Sequence, residues 1–123
     1  MADGFKILAQ ATLTNTEATI YTVPTPSGGQ FAARGNSQAV ISSIILCCTT
    51  DGGGGATYSI RVKSASDEGS DIDKQIIFNN QAIALNETDV LSLGIGLVSG
   101  DSIEASCSAS DAIQMNIFGT EVV

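Results

Sequence analysis

An all-β chain, folded as a single antiparallel β-sandwich of jelly-roll-like form with about eight strands, is what this sequence predicts. Three observations carry the prediction. Apolar and polar residues alternate with period 2 in segment after segment. Turn-forming residues interrupt these segments about every ten residues. No segment sustains the 3.6-residue period of an amphipathic helix.

Taken in order, Phe5-Lys6-Ile7-Leu8-Ala9 opens the first strand, and Thr19-Ile20-Tyr21-Thr22-Val23 forms the second, stopped by Pro24 and Pro26. Residues 39–48 form the longest. Their density of Val40, Ile41, Ile44, Ile45 and Leu46 suggests a strand covered on both faces. The run Asp51-Gly52-Gly53-Gly54-Gly55 is a turn, because glycine reaches positive φ without a steric penalty. Thr57-Tyr58-Ser59-Ile60-Arg61-Val62-Lys63 then alternates cleanly, so the strands on either side of the glycines read as a β-hairpin. Residues 64–71 form a polar, acidic loop. Residues 74–78 form another strand, and residues 82–85 a short apolar piece. Residues 88–95, 102–109 and 112–118 are further strands, separated by turns at Ser99-Gly100-Asp101 and Ser110-Asp111. The chain reads as one domain over residues 1–123, with an N-terminal arm at residues 1–5 and a contact loop in the irregular stretch from Pro24 to Gly35.

Five Lys and Arg stand against thirteen Asp and Glu, a net charge of -8. Nucleic-acid affinity comes mainly from cations neutralising phosphates, so no nucleic-acid partner is expected. An acidic chain is likewise repelled by anionic membrane surfaces, and no apolar run approaches the length of a membrane span. The first residues lack a basic stretch followed by an apolar one, so synthesis in a cytosol without export is expected. Cys47, Cys48 and Cys107 agree with this. Two are adjacent and one is remote, a pattern that suits small buried hydrophobes better than a disulfide scaffold.

The sequence holds no His, which removes the most common general base and zinc ligand. Neither Cys47 nor Cys48 has an activating neighbour in sequence. The glycine run ends in Ala56-Thr57 and enters a strand, unlike a phosphate loop, which ends in Lys-Ser or Lys-Thr before a helix. No enzymatic activity and no cofactor are therefore expected. Asp67, Glu68, Asp71 and Asp73 concentrate carboxylates that suit a hard cation such as Ca²⁺, although a solvated acidic loop explains them as simply. Gln75, Asn79, Asn80, Gln81 and Asn86 serve either as turn residues or as amides that bridge subunits.

Several blocks resemble one family. Phe5-Lys6-Ile7-Leu8-Ala9-Gln10, a Thr-rich linker and Ile20-Tyr21-Thr22-Val23-Pro24 are similar to the start of small virion proteins of tailed bacteriophages, especially marine and cyanobacterial ones. Ala39-Val40-Ile41-Ser42-Ser43-Ile44-Ile45-Leu46-Cys47, Ile83-Ala84-Leu85-Asn86-Glu87-Thr88, Leu91-Ser92-Leu93-Gly94-Ile95, Ser99-Gly100-Asp101-Ser102-Ile103 and Asn116-Ile117-Phe118-Gly119-Thr120-Glu121-Val122 continue the likeness. The resemblance implies a subunit of decoration or cement type, assembled in the bacterial cytoplasm and repeated on the virion. Its partners would be the major capsid protein or other virion proteins, and a homo-oligomer, first of all a trimer, is expected. Contacts would come from Ala2, Asp3, Gly4 and Phe5, from Pro26, Gln30, Phe31 and Arg34, and from the glycine loop. The alternatives are a tail, neck or fibre component and, from another class, a module binding host-surface glycans or Ca²⁺.

Overall fold

The computed structural model describes residues 5–24, 37–49, 55–66 and 73–122. Eight strands are present: β1 (Phe5–Thr12), β2 (Ala18–Thr22), β3 (Gln38–Cys48), β4 (Ala56–Lys63), β5 (Ile76–Ile83), β6 (Thr88–Val98), β7 (Ser102–Cys107) and β8 (Ile113–Val122). The one helix among the described residues is a single 3-10 turn, Asp73–Gln75, far too short to cross a membrane.

The strands form two four-stranded sheets, one in the order β1-β8-β3-β6 and the other β2-β7-β4-β5. Every pairing is antiparallel. The outermost strands in sequence pair with each other, then the next two, and so inward: β1 with β8, β2 with β7, β3 with β6, β4 with β5. Successive pairs fall alternately in the two sheets. This is a single long hairpin rolled into a sandwich, the topology of a jelly roll.

Period 2 dictates what lies between the sheets. β8 turns Ile113, Met115 and Ile117 inward, and β3 turns Ile41, Ile44 and Leu46 inward, all fully buried. Ile60 of β4 and Ile103 of β7 meet them from the opposite sheet. Each such side chain stabilises the fold by roughly 1.5–3 kcal/mol through burial alone. Both tyrosines sit on the inner face of the second sheet, and each reaches across the core to a carboxylate of the first. The Tyr21 hydroxyl donates to Glu121, and the Tyr58 hydroxyl donates to Asp89 Oδ2 at 2.9 Å. Glu121 lies opposite Ala39 and Asp89 opposite Leu46, so the two bonds are on the order of 20 Å apart along β3.

Three expectations are corrected. β3 and β4 do not form a hairpin: they lie in different sheets and face each other across the core. Each carries a full apolar stripe of its own. β3 is also buried on one face only. Ala39, Ile41, Ile44, Leu46 and Cys48 point inward, while Val40 on the other face is 51% exposed. Residues 76–83 make one strand where two pieces are expected. A bulge between Phe78 and Gln81 bends it, with Asn80 at φ 50° and its N–H donated to Ser59 Oγ at 3.0 Å. The expected turns at residues 99–101 and 110–111 are in place. Gly100 takes φ 87°, and Asp101 accepts the Val98 N–H at 3.0 Å and the Ala65 N–H at 2.9 Å.

Gly119 of β8 marks the closest approach within the first sheet. A Cβ there would lie 2.0 Å from the Val40 carbonyl oxygen and 3.0 Å from Leu8 Cδ1. Backbone cannot retreat from a side-chain atom without breaking the ladder. Gly119→Ala is therefore expected to lower stability by about 3 kcal/mol, read as a lower urea midpoint at an unchanged slope.

Candidate functional site

The chemistry-bearing residues named from sequence do not converge. Of the acidic set, Asp73 lies exposed in the 3-10 turn, and Asp67, Glu68 and Asp71 lie outside the described residues. Among the described residues no group of three or more Cys, Asp or Glu is placed to hold a metal ion. Of the contact set, Phe5 is described, opening β1 at 68% exposure. Ala2, Asp3, Gly4, Pro26, Gln30, Phe31, Arg34 and the glycines 52–54 lie outside the described residues. Cys48 and Cys107 are buried, and the Cys107 thiol donates to the Ala109 carbonyl at 2.9 Å. Asn80 and Asn86 both adopt positive φ, as turn residues do.

What the strands do bring together is a surface. The outward positions of the β1-β8-β3-β6 sheet line up in rows across all four strands. Phe5, Thr120, Val40 and Gly96 form one row, and Ile7, Phe118, Ser43 and Ser92 the next. Gln10, Asn116, Ile45 and Val90 follow, then Thr12, Gln114, Cys47 and Thr88. Val122, Gln38 and Val98 extend the face at its other end. None of these residues is charged, in a chain whose net charge is -8. Its large apolar side chains Phe5, Ile7, Val40, Val90 and Val98 are 49–68% exposed. Along β1 and β8 from Gln10 onward runs a lattice of neutral polar groups. Gln10 Nε2 donates to Asn116 Oδ1 at 2.7 Å, Thr12 Oγ1 to Gln114 Oε1 at 2.5 Å, and Gln114 Nε2 to Thr49 Oγ1 at 3.3 Å.

The opposite sheet contrasts with it. Its outer face carries Arg61, Lys63 and Glu104, and Arg61 pairs with Glu17 from the β1–β2 connection. Burial raises the Glu17 carboxyl above its ordinary range. The Arg61 guanidinium draws it down again, and Glu104, through a hydrogen bond and its charge, pushes it up. At the rim of the core, burial likewise opposes ionisation of Glu121. The Tyr21 hydroxyl and the Lys6 ammonium, 3.1 Å away, outweigh it and hold the carboxyl below its usual range. Tyr21 and Tyr58 are pushed far up, first by burial and then by the carboxylates they bond, so both stay protonated donors.

The charge-free face escapes a reading of sequence motifs because no motif forms it. Its signal is the set of outward positions of four strands far apart in the chain, each lacking charge.

No protein-family model and no curated protein matches the chain. Solved structures do. One chain of the acid-stable capsid structure of the Helicobacter pylori bacteriophage KHP30 matches with TM-score 0.52 at 11% identity, over 100% of this chain and 94% of that one. A chain of the T13 particle of infectious bursal disease virus (IBDV) matches with TM-score 0.54 at 8% identity, over 98% of this chain. This chain spans 30% of the length of that viral chain. At such identities the likeness is one of fold, and the fold is that of these capsid structures.

The Tyr21–Glu121 bond gives a test of the rim. Glu121 is depressed on folding, so its contribution to stability is present above the unfolded carboxylate range and lost as pH falls through the lowered folded value. Tyr21→Phe is expected to lower stability by about 2 kcal/mol at neutral pH, with a smaller loss once Glu121 is protonated. Urea unfolding across pH 2–7 reads both.

Proposed function

We propose that this chain is a structural, non-enzymatic subunit of a virus particle, most specifically a decoration or cement protein of a tailed-phage head that binds the major capsid protein or its neighbours. One observation carries the reading: the jelly roll matches a chain of a phage capsid structure over nearly the whole length of both. The charge-free sheet face supports it, since surfaces of this kind bury against protein. The fold leaves four edge strands, β1, β6, β2 and β5, and symmetric assembly is one way to cover such edges. A homo-oligomer is proposed on the particle, and the resemblance alone implies a trimer for that shell-bound state, distinct from the free chain in solution. Residues 2–5, 25–35 and 51–55 are proposed to reach the shell.

Mass spectrometry of purified particles from the source phage, with copy number set against the major capsid protein, tests the proposal. Near parity, or a simple fraction of parity, is the expected result. A dozen or so copies would move the chain to the neck, tail or fibres, and absence from particles would overturn the virion role.

A further inference from the structure

We propose that two copies of this chain pack the outer faces of their β1-β8-β3-β6 sheets together about a two-fold axis parallel to the strands, Phe5 of each seated over Gly96 of the other.

The register supplies the geometry. Phe5, Thr120, Val40 and Gly96 occupy one cross-strand row, with a large exposed ring at one edge and a bare glycine at the other. A two-fold axis lying in the contact between β8 and β3 carries β1 of one copy onto β6 of its partner. The same rotation carries β8 onto β3. It therefore places the Phe5 ring over Gly96 and Val40 over Thr120, each contact made twice, as an isologous interface requires. Aligned sheets cross at roughly 30°, so the columns match best where the axis passes and diverge away from it.

Gly96 has no explanation inside the subunit. Its φ is not in the left-handed region, and a Cβ placed on it would meet nothing within 4 Å. Gly94, two residues away, sits at the register shift between Ile95 and Ser92, which accounts for it. Gly96 lies in regular pairing, and a strand glycine that marks no bulge or bend marks a place where something approaches the backbone closely. In the proposed pair that approach is the ring of Phe5.

Electrostatics selects a second copy as the occupant. Subunits of net charge -8 repel through most surfaces, but among its described residues this face has no charge to repel with or to desolvate. A partner presenting carboxylates or ammonium groups would leave them buried without counter-ions. An identical face does not. The size suffices: strands of 8, 10, 11 and 11 residues make a face of about 600 Å² per copy from ordinary strand spacings, and a stable contact needs about 1,000 Å² over both partners.

The inference stands apart from the virion role, since it concerns the purified chain alone. Sedimentation velocity of the full chain should show a dimer at concentrations of roughly 10–100 µM, in the micromolar range common for modest interfaces. Val40 points to solvent in the single subunit, so Val40→Glu and Val40→Lys should each fold, by circular dichroism, and sediment as monomers. Mixed one to one, the two should regain the dimer, because each carries the charge that the other lacks. Gly96→Val, which meets nothing within its own chain, should keep the fold and weaken association at least tenfold. A wild-type monomer at about 100 µM, a three-fold or higher oligomer, a dimer indifferent to Gly96→Val, or folded Val40 variants that stay monomeric when mixed would each overturn the proposal.

Discussion

Everything in this molecule depends on the aliphatic layer shut between its two sheets. Ile41, Ile44, Leu46, Ile113, Met115 and Ile117 from one sheet meet Ile60 and Ile103 from the other, all fully buried. Only six aromatic residues are available, so branched aliphatics carry the packing. Such a layer is close-packed but non-directional, so polar registration of one sheet against the other comes from elsewhere. The two tyrosines supply it. Their hydroxyls fix polar points near opposite ends of the sandwich, on carboxylates that the other sheet presents at the edge of the core. Buried hydroxyls and carboxylates of this kind are costly when unpaired, so each bond penalises sliding of the sheets.

The same period that fills the core also determines the outside. A strand cannot place one residue inward without placing the next outward. On the β2-β7-β4-β5 sheet the outward residues include the charged Arg61, Lys63 and Glu104, of which Arg61 and Glu104 are largely covered. On the other sheet they are Phe, Ile, Val, Ser, Thr, Gln, Asn and Gly, with no formal charge among those described. The working surface is proposed to be this face, because a flat neutral sheet is well suited to repeated contact with protein.

Much of the fold was legible because period 2 is a local signal. The strands at Tyr58-Ser59-Ile60-Arg61-Val62 and Ile113-Gln114-Met115-Asn116-Ile117 stand where alternation places them. Pairing was not legible. β1 bonds to β8 across more than a hundred residues of sequence, and nothing local announces it. The glycine run made β3 and β4 look like partners because proximity in sequence is the only cue a hairpin reading has. By sequence alone, the apolar density of residues 39–48 suggests burial on both faces. Val40, Ile45 and Cys47 instead belong to the exposed neutral face, so the signal was sound and its meaning different. The resemblance names Phe5 as a contact residue, whereas nothing in the sequence points to Gly96. Only the cross-strand register shows that the two share a row.

Hydroxyl-radical footprinting of the chain in its assembled state, compared with a folded monomeric variant, tests most directly whether a sheet face carries the function. The account predicts strong protection of Phe5, Ile7, Val40 and Phe118, with Leu85 and Ile77 reacting equally in both states. Full reactivity at Phe5, Val40 and Phe118 in the assembly would contradict it and move the working surface to the loops or to the charged sheet.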